Sequence, residues 1–196
     1  MANLDAKCSV GANLLARELE VYVVPKRVVT SVDVQEFREK ISSLPRQDYH
    51  DTLTRLLNLA ITITSADKGN IQVLDPLTRT LRIIVHEGFA EPFLRFFQEV
   101  NHREAACGTA LKRLERVIVE DLTESAIFVN TEALNVLLEA DVQAVQSTPL
   151  VNSSGCVVGM ISTHYRLPTC PTKEQLHLLD KLAEIAAEFI GDTPVT

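Results

Sequence analysis

The sequence predicts an α+β fold: a central antiparallel β-sheet of about five or six strands flanked by helices. An amphipathic helical period covers residues 49–65, apolar runs separated by turn residues cover 69–88 and 144–165, and a second amphipathic helix covers 172–190. Runs joined by short turns pair as antiparallel hairpins, and helices with an apolar stripe pack on such a sheet. The predicted order is helix, two strands, short helices, strand, helix, two strands, helix.

Length and composition indicate one globular domain with an extension. The chain has 196 residues, of which 46% are hydrophobic, and its net charge of -7 with a pI near 5.2 lacks the basic face of a nucleic-acid-binding protein. We predict an N-terminal helical extension over 1–47, a domain over 48–191 and a short tail over 192–196. Within the extension, residues 12–24 and 31–44 read as two helices separated by Pro25.

No apolar run reaches the ~20 residues of a membrane span, and the N-terminus does not look like a signal peptide. The four cysteines Cys8, Cys107, Cys156 and Cys170 lie far apart and lack metal-binding spacing. The expected location is therefore the cytoplasm, with free thiols and no metal site. No hydrolase or phosphate-binding motif occurs, so no catalytic residue is predicted.

The helices and strands between these landmarks follow from local patterns. Asp48 is a candidate N-cap of the 49–65 helix, and Pro76 occupies a favoured turn position between the first two strands. "EPFLRFF" predicts a short amphipathic helix, "CGTALKRLE" another helical turn or two, "RVIVED" a strand and "TEALNVLLEA" a helix.

The closing helix begins with a capping-box pair, Thr172 and Gln175. It carries two apolar stripes, whereas docking on a sheet requires about one. The stripes are Leu176, Leu179, Ala183, Ala186 and Ile190, and Leu178, Leu182, Ile185 and Phe189. The second stripe predicts either a homodimer in which helix 172–190 takes part or a fold in which residues 1–47 cover it.

The blocks "ADKGNIQVLDPLTRTLRIIVHEGF", "FLRFF", "ACGTAL", "RVIVEDL" and "AVQSTPLVNSSGCVVGMISTHY" resemble GAF domains in order and spacing. The resemblance covers about residues 48–190 and is closest to the bacterial GAF modules found beside PAS domains and sensor kinases. It implies a GAF-like sheet with helices on one side and a small-molecule pocket on the other. It also implies that helix 49–65 lies beside helix 172–190, so the predicted homodimer is a four-helix contact of helices 49–65 and 172–190 with their copies. GAF domains take diverse ligands, and some have none known, so the cofactor or ligand is not assigned.

The last hairpin carries unusual polar groups for a central strand pair. Gln146 and Thr148 share one face of the first strand, and Ser162 and His164 share a face of the second with Met160. If the register joins these sets, they form the polar wall of a pocket. Gln72, Phe89, Phe93, Phe97 and Cys107 complete the predicted ligand-binding set. The alternatives are that Ser and Thr bond to nearby backbone around a bulge at Pro149, and that the phenylalanines are plain core.

"ACGTA" around Cys107 also resembles free methionine-(R)-sulfoxide reductases, which are GAF-fold enzymes. In those enzymes the reacting cysteine lies before the fourth strand, but the segment 122–143 contains no cysteine here. The chain is therefore predicted to be a sensory module that is not an enzyme, binding a small molecule and signalling through helix-mediated dimer or partner contacts. A dimerisation scaffold without ligand is the second hypothesis, and the reductase is the third.

Overall fold

A single antiparallel sheet organises the chain, and helices pack on both of its faces. The computed structural model describes residues 28–42, 49–100 and 105–191, with only the backbone of Glu99 and Val100. The predicted helix over 12–24, the N-cap Asp48 and the tail 192–196 lie outside these ranges. In chain order the elements are α1 (Ser31–Ser42), α2 (Tyr49–Thr64), β1 (Lys68–Leu74), β2 (Leu81–Glu87), α3 (Glu91–Phe96), β3 (Glu99–Val100), α4 (Ala106–Arg113), β4 (Val117–Val119), α5 (Glu132–Glu139), β5 (Ala144–Val151), β6 (Val157–Tyr165) and α6 (Lys173–Gly191).

The predicted α+β class is confirmed. The sheet has six strands in the order β3-β2-β1-β6-β5-β4, and every neighbouring pair is antiparallel. Both predicted hairpins form, β1–β2 and β5–β6, and the two hairpins join through β1 and β6 at the centre. The short strand β3, which pairs with the first two residues of β2, was not predicted, because two residues carry too little pattern to distinguish a strand from a loop.

Turn chemistry fixes both hairpins. In the first, the Asp75 carboxylate accepts hydrogen bonds from the backbone N–H groups of Leu77 and Thr78 at 2.8 and 3.1 Å. In the second, the Asn152 side chain accepts from the N–H groups of Ser154 and Cys156 at 3.1 and 2.9 Å. These Asx-type bonds replace ladder bonds in the loops, so each hairpin has a defined register.

The helices α2 and α6 cover one face of the sheet, here called the α2/α6 face. Leu53, Leu56 and Leu57 of α2 are at most 1% exposed, and they share a core with Ile71 of β1 and Ile161 of β6. The helical period predicted for 49–65 is confirmed by this burial. The α6 cap is also confirmed, because Thr172 and Gln175 exchange hydrogen bonds of 2.9 and 3.2 Å between side chain and backbone.

The second apolar stripe of α6 is covered within the chain. Residues of both stripes are buried, and α1 contributes Val34 and Ile41 to the same core. At the edge of this contact Arg38 donates two hydrogen bonds of 2.8 Å to the Glu188 carboxylate. A helix of the predicted extension therefore shares the core of the domain, as in the second of the two arrangements expected for residues 1–47. The homodimer remains an untested prediction, and the exposed strip that motivated it is not present.

The opposite face of the sheet, here called the cavity face, is covered by α3, α4 and α5 with the loops beside them. Its core is a separate cluster that includes Leu81 and Met160 from the sheet with Phe93, Ala110 and Leu137 from the helices. The sheet thus separates two cores. The predicted ligand-binding residues have to be sorted by the face on which they lie.

Candidate ligand-binding site

The strand register assembles a row of polar side chains on the cavity face at the centre of the sheet. Ser162 of β6 lies opposite Asn70 of β1 on one side and Ser147 of β5 on the other. Gln72 follows Asn70 on the same face, and His164 follows Ser162, since side chains two residues apart point the same way. We call Asn70, Gln72, Ser147, Ser162 and His164 the polar wall.

A small cavity of about 20 Å³ lies between the polar wall and the helices. This volume is comparable with the space that one water molecule occupies. Its other lining residues are apolar: Phe93, Phe97, Ala105, Ala106, Cys107, Phe128, Leu137 and Val145. A mostly apolar cavity with a few convergent polar groups is the usual composition of a small-molecule site.

Two aromatic rings, those of Phe93 and Phe97, line the cavity, and Phe89 packs behind Phe93. We call Phe89, Phe93 and Phe97 the phenylalanine stack. The rings of Phe89 and Phe93 are nearly parallel with centroids 3.6 Å apart, and Phe97 lies 4.7 Å from Phe93. The edge of the His164 ring meets Phe89 and Phe93 at 4.9 and 5.8 Å. Phe93 belongs to α3, a helix of six residues whose N-cap, Ala90, provides no side-chain hydrogen bond. The cover of the cavity is therefore a short element with weak local stabilisation.

The polar wall contains buried atoms that have no hydrogen-bond partner among the described residues. These are Asn70 Oδ1, Gln72 Oε1 and His164 Nδ1, on side chains whose residues are at most 4% exposed. A buried polar atom without a partner costs about 1–3 kcal/mol, so native proteins rarely leave several together. Three such atoms around one cavity indicate that a further molecule, water or ligand, completes the wall.

The two serines of the wall bond to each other. Ser147 Oγ and Ser162 Oγ are 2.8 Å apart, and either hydroxyl can be the donor. This bond uses one of the two hydroxyl hydrogens, so the other is available to an acceptor in the cavity. The wall therefore offers both acceptors and a donor.

Burial keeps the titratable groups of the site uncharged at neutral pH. Desolvation, with a smaller contribution from the Lys68 charge, lowers the pKa of His164 to about 3. Desolvation raises the pKa of the Cys107 thiol to about 11, although the N–H of Gly108 and the side chain of Gln72 bond to it and partly oppose the shift. Lys68 is on the same face, where its ammonium donates to the carbonyl of Ala140 and lies 5.9 Å from the Phe89 ring centroid.

The structure brings together six of the ten predicted ligand-binding residues. Gln72, Phe93, Phe97, Cys107, Ser162 and His164 all line the cavity. Phe89 packs on Phe93 and His164, and Met160 is fully buried on the same face in the surrounding core. These two support the site without lining it.

The predicted positions of Gln146 and Thr148 are wrong. The hairpin register pairs Ser147 with Ser162, so Gln146 lies opposite Thr163 and both point to the α2/α6 face. Thr148 is on that face too, where its hydroxyl accepts a 2.9 Å hydrogen bond from Arg116 Nε, and Arg116 also pairs with Asp180 of α6. Thus only two of the four polar hairpin residues expected around one cavity line it. The sequence shows which residues share a face within each strand, but a one-residue change in register exchanges the faces between strands.

Several lining residues were not predicted. Asn70 follows from Gln72 by the two-residue alternation of β1, and Ser147 follows from Ser162 once the register is known. Phe128 lies in the loop before α5, with no periodic signal around it, and Val145 and Leu137 read as ordinary core residues. Only tertiary structure identifies these three.

No cluster of three or more His, Cys, Asp or Glu side chains suited to a metal ion occurs in ranges 28–42, 49–100 and 105–191. In the same ranges, no helix combines the length and apolarity needed to cross a bilayer.

The protein is thus an α+β domain with a small cavity on one face of its antiparallel sheet and the α2/α6 helical layer on the other. The sequence profile of the GAF domain matches residues 46–190. The chain belongs to the GAF domain family.

Solved structures agree with the fold. The GAF domain of an Acinetobacter phosphoenolpyruvate-protein phosphotransferase superposes with a TM-score of 0.64 at 16% identity, covering 81% of this chain and 90% of that one. A GAF domain/HD domain protein from Geobacter sulfurreducens gives 0.61 at 16% identity, covering 74% and 94%. Free methionine-R-sulfoxide reductase from Neisseria meningitidis, solved with its substrate, gives 0.61 at 14% identity, covering 81% and 86%. No curated protein sequence matches the chain significantly.

Proposed function

We propose that this chain is a sensory GAF module that binds a small molecule between the polar wall and the phenylalanine stack. The observation that carries the proposal is the set of three buried polar atoms without partners, Asn70 Oδ1, Gln72 Oε1 and His164 Nδ1, around a cavity lined mainly by apolar groups. A bound molecule that hydrogen-bonds these atoms removes their desolvation cost, so occupancy stabilises the fold.

The same strands supply a route for the signal. Along β6, Ser162 and His164 face the cavity, whereas Ile161 and Thr163 between them face α2 and α6. A ligand that shifts β6 therefore changes the packing under the helices. The outermost helix, α1, contacts α6 through Val34, Ile41 and the Arg38–Glu188 ion pair, and it is the surface at which we place the output to a partner or a second copy.

We propose no enzymatic activity. The reductase from Neisseria shares the fold, but the chemistry of a sulfoxide reductase needs a reactive thiolate. Cys107, the cysteine of the cavity, is buried with its pKa raised to about 11, so it is protonated at neutral pH. We propose a cytoplasmic location, because the four cysteines lie far apart and do not resemble the disulfide framework of a small secreted domain.

Native mass spectrometry of the purified full chain tests the proposal. We expect a mass increment of a few hundred daltons or less under native conditions that is lost on denaturation, or one that appears when small-molecule extract is added. Ser162→Leu places an apolar side chain in the polar wall and should abolish the increment. The matched control Ser154→Leu alters an exposed serine of the β5–β6 loop and should retain it. Wild-type protein that stays ligand-free with every extract would contradict the proposal.

A further inference from the structure

The lining of the cavity restricts the charge of a ligand. Among the described residues, no Lys, Arg, Asp or Glu side chain lines it. The one ionisable base, His164, is 4% exposed and lies beside the Phe89 and Phe93 rings. Lys68, a cation on this face, lies outside the lining and donates to the carbonyl of Ala140. A charged ligand would therefore lose its hydration without gaining a counter-charge in the cavity, which is strongly unfavourable. The ligand is therefore uncharged.

The polar wall restricts the hydrogen bonds of a ligand. The unpartnered oxygens of Asn70 and Gln72 are acceptors, so they require donors such as N–H groups. The Ser147–Ser162 pair has one hydroxyl hydrogen left, which suits an acceptor such as a carbonyl oxygen. A molecule that carries N–H and C=O groups side by side satisfies both.

The phenylalanine stack restricts the shape of a ligand. The cavity of about 20 Å³ is too small for an organic ring, so some side chain must leave. Phe93 is the candidate, because it lines the cavity, stacks on Phe89 at 3.6 Å and belongs to the short helix α3. A flat ring that replaces Phe93 keeps the stacking on Phe89 and the tilted contact with Phe97, and it brings polar edges to the wall.

We propose that the cavity takes an uncharged planar molecule, about one six-membered ring in size at its buried end, that carries adjacent N–H and C=O groups in the manner of a lactam. This inference rests on the proposed function and specifies its ligand class. The Phe93 ring occupies the ring position until the ligand displaces it.

Ligand-detected NMR on the full chain with four probes tests the inference. The probes are 2-pyridone, N-methyl-2-pyridone, benzoate and benzamidine, which present a lactam, a lactam without its donor, an anion and a cation on rings of one size. We expect 2-pyridone to bind wild-type protein about tenfold more tightly than N-methyl-2-pyridone, because methylation leaves the wall acceptors unpaired.

Two alanine variants on α3 test the displacement of Phe93. Phe93→Ala vacates the ring position and should tighten 2-pyridone binding by about tenfold, since the ligand no longer displaces a packed ring. Phe96→Ala removes the same group from the same helix outside the cavity lining and should leave the affinity within about twofold. The wild-type probe comparison needs no variant, so it decides the ligand class even if Phe93→Ala folds poorly.

The outcomes separate two failures. Equal binding of N-methyl-2-pyridone, or tighter binding of benzoate or benzamidine in competition with 2-pyridone, overturns the ligand class and leaves the proposed function intact. No binding by any probe to wild type or Phe93→Ala, together with no co-purifying molecule, overturns both.

Discussion

At the scale of single residues, His164 is a titratable side chain that the fold removes almost completely from water. Its imidazole is buried against two phenylalanine rings on the cavity face, with Cys107 also in the lining and Lys68 on the neighbouring strand. Burial favours the neutral ring, which lowers the pKa from 6.5 to about 3. In the unfolded chain the ring regains its ordinary pKa.

The lower pKa of His164 in the folded chain predicts that acid reduces the stability of the protein. Between about pH 6.5 and 3 the unfolded chain binds a proton at His164 that the folded chain does not, so the free energy of unfolding falls as the pH is lowered. The slope from this group approaches roughly 1 kcal/mol per pH unit. Urea unfolding at several pH values should show a shallower dependence for His164→Asn, whereas His86→Asn, at an exposed histidine of β2, should match wild type. Identical slopes for wild type and His164→Asn would refute neutral burial.

Gln146 is a buried polar side chain on the α2/α6 face, opposite the cavity face. It is 1% exposed, and neither its Oε1 nor its Nε2 has a partner among the described residues. Methionine has a similar shape without the polar atoms, so Gln146→Met should leave the stability unchanged or increase it by about 1 kcal/mol. Gln175→Met, which removes the capping-box acceptor of α6, should instead lower it by about 1 kcal/mol. Thermal unfolding of both variants checks the signs; a clear loss for Gln146→Met would mean that an internal water bonds this amide.

At the scale of elements, α2 is the helix that packs against both the sheet and α6. Leu56 is fully buried in the core that α2 shares with both, and Asn58 of the same helix is exposed. Leu56→Asp should destabilise the protein by several kcal/mol, because an unpaired carboxylate enters the core. Asn58→Asp adds the same charge on the solvent side and should change little. An unchanged melting temperature for Leu56→Asp would show that α2 does not pack as described.

The elements themselves were largely predictable, because each has a period that burial enforces. Residues 49–65 repeat at helical spacing and the two hairpins alternate, so α2, α6 and five of the strands follow from the sequence. The placement of these elements relative to one another was harder to predict from the sequence. The face of Gln146 depends on the register of one hairpin, and the cover of α6 depends on α1, which has a weaker apolar pattern than α2. Both are tertiary facts that local pattern does not encode.

At the scale of the whole molecule, the burial of the second apolar stripe of α6 affects whether the chain can form the predicted homodimer. Since α1 shares one core with residues of both stripes, the four-helix dimer contact has to form without α1 or on its outer side. Light scattering of the full chain distinguishes a monomer of 21.7 kDa from a dimer of twice that mass. With α1 packed as described, we expect a monomer at micromolar concentration. Val34→Asp should loosen α1 and increase any self-association, because it exposes the stripe. A wild-type dimer that Val34→Asp leaves unchanged would place the interface elsewhere.

Side-chain amide NMR tests directly whether a small molecule binds on the cavity face of the sheet. Asn70 and Gln72 lie in the polar wall, and Gln146 lies on the α2/α6 face, so their NH₂ signals report on opposite sides of one sheet. Neutral, anionic and cationic ring fragments are added in turn to the labelled full chain. We expect at least one fragment to shift the Asn70 and Gln72 signals strongly and saturably, with a smaller change at Gln146, which the ligand reaches only through a displacement of β6. Shifts at Gln146 without shifts at Asn70 and Gln72, or no shift with any fragment, would contradict binding on the cavity face.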